Sequence, residues 1–308
     1  MQPIISNIVF TKNRPLQLDA YLESLYECFT RQLVQTYIIY KVELFEQEYE
    51  DVFQRFPECV VVREGDFHSD FIQILSRITT KYILFGIDDV VYFDRIDFDV
   101  IDRAFATYRE DIFGFSFRFD RQTVEVGEDP VSEKTSTGQT LYAIDWTQGR
   151  TPITRYPFEL CATVYPTTLV KTILGSVVNN NPFIKRVFLP GSVFMKTISK
   201  VTSTRSILKS FGYFYNPNTL ESWSCRWCQE NSRKVPNWIF FQKLCASALQ
   251  VNMVNVTLRK VFEGSAEHTV EALAQKYTQG YRLDIDFVSR NRPQGIHGGL
   301  EHFRLKRI

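Results

Sequence analysis

The chain has 308 residues, with 36 Lys+Arg against 35 Asp+Glu for a net charge of +1. That balance excludes the basic surplus of a dedicated nucleic-acid binder. With 44% apolar and 23% charged residues the chain is neither disordered nor fibrous. No apolar run reaches the roughly 18–20 residues of a membrane span. The start, MQPIISNIVF, enters a strand-like run with no basic segment ahead of it, the pattern expected of a cytoplasmic chain.

Residues 4–10, IISNIVF, predict a short strand that ends at Thr11-Lys12-Asn13-Arg14-Pro15. Pro15 suits the first turn of a helix, where its missing N–H costs nothing. Leu18, Leu22, Leu25, Phe29 and Leu33 then recur at helical spacing. Further strands are predicted at 36–40 (TYIIY), 59–62 (CVVV) and 81–87 (KYILFGI), with helices over 45–56 and 67–78 between them. Strands alternating with helices in this way are the pattern of a parallel α/β sheet.

Phe98, Ile101, Phe105 and Tyr108 mark another helix, followed by IFGFSFRF at 112–119. There Phe alternates with Gly, Ser and Arg, which predicts a half-buried strand. Residues 121–150 are polar and are expected to form a long loop or small hairpin over the sheet. A helix at 166–178 stops at Asn179-Asn180-Asn181-Pro182, a turn cluster. Residues 183–211 carry Lys185, Arg186, Lys196, Lys200, Arg205 and Lys209 and no acid. This basic stretch reads as a solvated face, as a lid attracted to phosphates, or as a peripheral contact with an anionic membrane. A helix over 216–230 is expected to start with Asn218 or Thr219 as N-cap, and another lies near 265–279 before an irregular tail. Cys225 and Cys228 lack the second ligand pair that a structural zinc needs. The scattered cysteines suit a reducing compartment.

The strongest site signal is Asp88-Asp89, directly after the apolar run YILFGI. Ligands of open α/β sheets bind at the carboxyl ends of the strands. Two carboxylates there can hold a hard divalent cation and leave positions open for phosphate oxygens. The bland alternative is that Asp89 caps the next segment or pairs with Arg95.

IISNIVFTKNRPLQLDAYLESL resembles the opening of family-2-like glycosyltransferases, and KYILFGIDDVVYF resembles their apolar strand running into a DxD motif. The likeness covers roughly residues 4–120. It implies an α/β, GT-A-like fold with a donor half at 1–120 and an acceptor half at 121–308. It implies a nucleotide diphosphate sugar as donor, Mn²⁺ or Mg²⁺ as cofactor, and a carbohydrate or lipid-linked glycan as acceptor, with inversion at the sugar favoured over retention. Thr11 and Arg14 fall where such enzymes contact the nucleotide, and Asp88 and Asp89 fall on the metal and ribose motif. Val90 occupies the last slot of a strict DxD, so Ile87-Asp88-Asp89 aligns as an xDD variant with Asp89 the metal ligand. The Asp-rich turn that holds the base in such enzymes is missing here; IIYKVEL leaves Tyr40, Lys41 or Glu43 for that role. Glu221, in NPNTLES, resembles the family's catalytic carboxylate by position, and Glu159, in YPFEL, is the rival base. The alternative for Glu221 is a first-turn carboxylate favoured by the helix dipole. His297, or else His302, resembles the C-terminal histidine that completes the metal site. Trp146, Tyr156, Trp223 and Trp227 are candidates to stack on the acceptor. A sugar nucleotidylyltransferase would need a Gly-rich phosphate loop where TKNRP stands. A non-catalytic glycan-binding protein would not need the Asp pair.

Overall fold

The computed structural model describes residues 2–122, 127, 129–178, 212–231, 235–252 and 266–308. The basic stretch at 183–211 and the turn cluster at 179–182 lie outside the described residues.

The expected alternation stands through the first hundred residues. Strands β1 (Ile5–Lys12), β2 (Val34–Lys41), β3 (Val60–Arg63) and β4 (Tyr82–Ile87) alternate with helices α1 (Pro15–Cys28), α2 (Glu46–Arg55) and α3 (Phe67–Arg77). Pro15 opens α1 as expected. The helix ends at Cys28, and Leu33 falls in a separate 3-10 turn. β5 (Val90–Tyr92) and α4 (Phe98–Thr107) follow, then β6 (Ile112–Ser116), β7 (Val131–Ser136), β8 (Gln139–Asp145), β9 (Thr163–Pro166) and α5 (Thr167–Val177). The remaining elements are α6 (Pro217–Asn231), β10 (Asn237–Phe240), β11 (Ala246–Leu249), α7 (Val270–Thr278), β12 (Tyr281–Leu283), α8 (Ile285–Arg290), β13 (His297–Gly298) and β14 (Leu305–Arg307).

A nine-stranded sheet runs β3-β2-β1-β4-β9-β6-β10-β8-β7. β1, β2, β3 and β4 are parallel, as are β6 and β10, while β9 runs against both of its neighbours, β4 and β6. The start of β9 therefore lies at the edge where β4 and β6 end. Alternate residues of the central strands feed two cores: Ile5, Val9, Tyr82 and Leu84 on one face, Ile8, Phe10, Ile83 and Phe85 on the other. Both faces are thus covered, as the continuous apolar runs required.

Two expectations need correction. Residues 131–145 do form a hairpin, turning at Thr137 and Gly138 with positive φ. It extends the sheet edge beyond β10 instead of lying over the sheet. The strand in IFGFSFRF is not half-buried. β6 is enclosed between β9 and β10, and Ser116 and Arg118 are as buried as the phenylalanines around them. A register irregularity against β10 pairs Ile112 with Asn237 and Gly114 with Trp238. Phe113 and Phe119 fall in one core and Phe115 and Phe117 in the other, so the period of two does not separate core from solvent.

A smaller sheet, β13-β11-β5, begins directly after Asp89. Asp89 O accepts from Leu249 N at 2.7 Å, which fastens the acid pair to β11. The tail expected to be irregular pairs β12 with β14 and places β13 beside β11. Cys225 and Cys228 are buried in α6 as small core residues.

Candidate active site

The ends of β1 and β4 bring Arg14 and the acid pair together. Arg14 Nη1 donates to Asp88 Oδ1 at 2.9 Å and lies 3.5 Å from Asp89 Oδ2. Asp88 Oδ2 accepts from the Lys12 amide at 3.3 Å. Arg14 Nη2 also donates to Asn252 O. Burial works against the Arg14 charge, and Asp88 and Asp89 outweigh it, holding the pKa above its ordinary value. Arg95 is not the partner of Asp89.

Thr11 is turned inward. Its hydroxyl lies 2.7 Å from Tyr49 Oη, and that same oxygen accepts from Arg14 N at 3.0 Å. Thr11 and Tyr49 thereby pin the backbone that carries Arg14. Asn13, at φ 52°, accepts from Glu43 N at 2.9 Å and Leu44 N at 3.2 Å, closing the loop after β2. Of the residues proposed for the base, Tyr40 is buried against Tyr49 and Phe53. Lys41 pairs with Glu64 at 3.0 Å, and Glu43 with Lys12 at 3.1 Å.

The acid pair fits a cation. Carboxylates from two adjacent residues converge on one guanidinium nitrogen, and Asp89 Oδ1 is buried with no hydrogen-bond partner among the described residues. Burial, joined by Asp88, pushes Asp89 up to about 6 against the pull of Arg14 and Arg118. Two acids facing one arginine leave negative charge unmatched in a buried place, the condition a bound cation relieves. His297 lies on β13, opposite Ala248, which in turn pairs with Val90, so its backbone stands two strand spacings, or about 10 Å, from the residue after the acid pair. Among the described residues no three His, Cys, Asp or Glu are grouped to hold a metal ion.

The two rival bases turn out to be neighbours. Glu159 and Arg118 form a buried ion pair, each side chain under a tenth exposed. Arg118 Nε also donates to Cys161 O at 3.1 Å, and the other Glu159 oxygen accepts from the Thr163 hydroxyl. Glu221 Oε1 accepts from Leu160 N at 2.9 Å. Glu221 is not in the first turn of its helix but is the fifth residue of α6, and Asn216, not Asn218 or Thr219, caps that helix by accepting from Thr219 N at 2.9 Å. Burial pushes the Glu221 carboxyl up to about 7; Glu159 adds to this, while Leu160 N–H and Arg118 oppose it. Arg118 also acts on Asp89. The acid pair at the end of β4 and the carboxylates before β9 and in α6 therefore share one electrostatic neighbourhood at one sheet edge.

Sequence reasoning missed Arg118, Tyr49 and Asn252. Arg118 was hidden by its alternation with Phe, which reads as a solvent face. The small residues beside it carried the signal, since a Cβ on Gly114 would stand 2.7 Å from the Trp238 ring and leave no room for a solvated face. Of the aromatics proposed for the acceptor, Trp146 is core, with Nε1 donating to Val235 O at 3.3 Å. Tyr156, Trp223 and Trp227 are only partly buried.

No protein-family profile matches the chain. Over 196 residues, 56% of its length, it is 20% identical to the bifunctional glycosyltransferase pgtA of Dictyostelium discoideum. The sequence likeness is to a glycosyltransferase. The chain spans about a quarter of that relative's length. Among solved structures it is similar to S. aureus TarS 1-349 in complex with UDP, at 14% identity and a TM-score of 0.39, covering 57% of this chain and 49% of that one. A second is the mannosyltransferase PcManGT of Pyrobaculum calidifontis in complex with GDP-Man and Mn²⁺, at 12% identity and 0.31, covering 76% and 71%. The GT-A-like α/β fold, a mostly parallel central sheet flanked by helices, stands on the topology itself. Among the described residues no helix is long and apolar enough to cross a membrane.

Proposed function

We propose that the chain transfers a sugar from a nucleotide diphosphate sugar to a hydroxyl of a carbohydrate or lipid-linked glycan, with inversion at the sugar carbon. The observation that carries this is the meeting of the Arg14–Asp88–Asp89 cluster with Glu159, Arg118 and Glu221 at one sheet edge. The first cluster suits an anionic donor with a cation, and the second suits proton transfer. Residues 1–120 hold the donor in this reading, and residues 121–308 supply the acceptor side.

Glu221 is the general base. Its Oε1 is fixed by Leu160 N–H, no hydrogen bond engages its Oε2 among the described residues, and its pKa near 7 matches a proton acceptor at neutral pH. Glu159 is the counter-ion of Arg118, with both oxygens already engaged. The acceptor hydroxyl gives its proton to Glu221 as its oxygen bonds to the anomeric carbon. The bond from that carbon to the diphosphate breaks, and its electron pair leaves with the nucleoside diphosphate. Arg14 stabilises the charge gathering there. Asp89, with Asp88, would hold Mn²⁺ or Mg²⁺, which supplies Lewis-acid stabilisation of the leaving diphosphate.

Single-turnover transfer from UDP- and GDP-sugars by Glu221→Gln and Glu159→Gln tests this reading. Glu221→Gln should bind donor normally and lose roughly 10²–10⁴ in turnover. Loss of turnover without change of fold in Glu159→Gln, with Glu221→Gln active, would move the base to Glu159. Full activity in both would argue for retention.

A further inference from the structure

We propose that Arg118 is a positioning residue that sets the orientation of Glu221 by clamping the backbone of residues 159–161. The proposal rests on the reading of Glu221 as general base, but its geometry stands apart from that reading. Leu160 N–H is the described group that holds Glu221 Oε1, at 2.9 Å. The residues on either side of Leu160 are both tied to Arg118: the Glu159 carboxylate by ion pairing, and Cys161 O by the Nε bond at 3.1 Å. On the far side Tyr165 Oη accepts from Glu159 N at 2.8 Å and donates to Glu159 O at 3.0 Å.

Arg118 and Tyr165 thus grip the same short segment, one from the turn after β6 and one from β9. Among the described residues, the Leu160 amide links that segment to Glu221. Arg118 is 5% exposed and Tyr165 wholly buried, and the polar atoms of both are engaged with residues 159–161. A planar fork that bonds a carboxylate and a carbonyl at once is a task lysine cannot copy, because its ammonium is a point charge on a flexible stem. The arrangement explains why a charged side chain is buried just beyond a phenylalanine-rich strand.

The test uses the full chain as Arg118→Lys and Tyr165→Phe, each alone and with Glu221→Gln. Amide hydrogen exchange at Leu160 is expected to quicken at least about 10-fold in both single variants, while amides of β1 and β4 keep wild-type rates. Turnover of whichever of UDP-glucose, UDP-N-acetylglucosamine or GDP-mannose the wild type uses fastest with Mn²⁺ should fall on the order of 10-fold, with donor KM unchanged. In the Glu221→Gln background neither change should cost anything further, because it acts through Glu221. Wild-type exchange at Leu160 in both variants overturns the proposal, as does a loss that adds in full to that of Glu221→Gln. If Arg118→Lys fails to fold, Tyr165→Phe, which removes one hydroxyl, carries the test alone. If Glu221→Gln keeps full turnover, the base reading falls, while Leu160 exchange still decides whether Arg118 sets the contact.

Discussion

Arg14 Nη1 donates to Asp88 Oδ1 at 2.9 Å across 74 residues of chain, with the two side chains only 8% and 5% exposed. The bond ties the turn after β1 to the end of β4, so the same pair that shapes the site also holds the sheet edge. Removing one member of a buried pair strands the other and typically costs about 3–5 kcal/mol. Asp88→Asn is therefore expected to lower unfolding free energy in denaturant titration by less than that, because Asp89 Oδ2 still faces Arg14 at 3.5 Å. Adding Arg14→Met should deepen the loss, since the buried Asp89 carboxylate then lacks its guanidinium. A stability unchanged in Asp88→Asn would mean the pair is solvated.

Glu221 and Glu159 differ in what their amides would do to stability. Glu159→Gln leaves the buried Arg118 without its carboxylate and should cost about 3–5 kcal/mol. Glu221→Gln keeps an acceptor for Leu160 N–H and should leave the melting temperature near wild type at low pH. Urea titration of the two variants side by side checks the contrast.

The pH dependence of Glu221 has a definite sign. Burial raises its folded pKa to about 7, above the ordinary glutamate value of 4.5, so the folded chain holds a proton that the unfolded chain releases. That contribution to stability is complete below about pH 4.5 and is lost as pH rises to about 7. Glu221→Gln should therefore melt above wild type at pH 8 and level with it at pH 4.5. A helix-dipole role predicts the reverse at pH 8, a loss of about 0.3–1 kcal/mol. Turnover by wild type should climb with pH through about 7, as the base ionises, and Glu221→Gln should lack that limb.

Gly86 precedes the acid pair by two residues, and its lack of a side chain is a packing requirement. A Cβ there would lie 2.0 Å from Tyr21 Oη and 2.4 Å from Tyr21 Cζ. Gly86→Ala must push the ring of a wholly buried tyrosine, and overpacking of this kind costs about 1–3 kcal/mol. Gly175→Ala is the control: it sits in the interior of α5, where alanine favours the helix over glycine, and should stabilise by about 0.5–1 kcal/mol. Thermal melts of the two variants should move in opposite directions.

The Arg14–Asp88–Asp89 cluster was legible in sequence because its signals are local. Pro15 starts α1, apolar runs mark β1 to β4, and Asp88-Asp89 follows the fourth run at the carboxyl edge. The Arg118–Glu159–Glu221 cluster is assembled from distant pieces. Glu159 and Glu221 read as rivals because 61 residues separate Glu221 from the Leu160 amide it binds. No periodicity shows that β9 turns back between β4 and β6 and carries Glu159 to the edge. Arg118 escaped because alternation with Phe is ambiguous when a strand is covered on both faces. The hairpin at 131–145 was visible from its turn residues, but its docking on β10 depends on a partner strand almost a hundred residues later.

If the Asp pair serves a cation that binds together with a nucleotide diphosphate, metal and nucleotide should each need the other. Calorimetric titration of wild type and Asp89→Asn with UDP and with GDP, each with and without Mn²⁺, measures this. Asp89→Asn removes one anionic oxygen from a site with few protein ligands. Wild type should bind one of the nucleotides far more tightly with Mn²⁺ than without it, and at 100 times the dissociation constant gain about 2.7 kcal/mol of stability. Asp89→Asn should lose that Mn²⁺-dependent gain while keeping its fold. Equal, Mn²⁺-dependent binding by Asp89→Asn would mean that Asp89 is not a metal ligand, and no nucleotide binding by wild type under any of these conditions would mean that the Asp pair does not serve a nucleotide diphosphate.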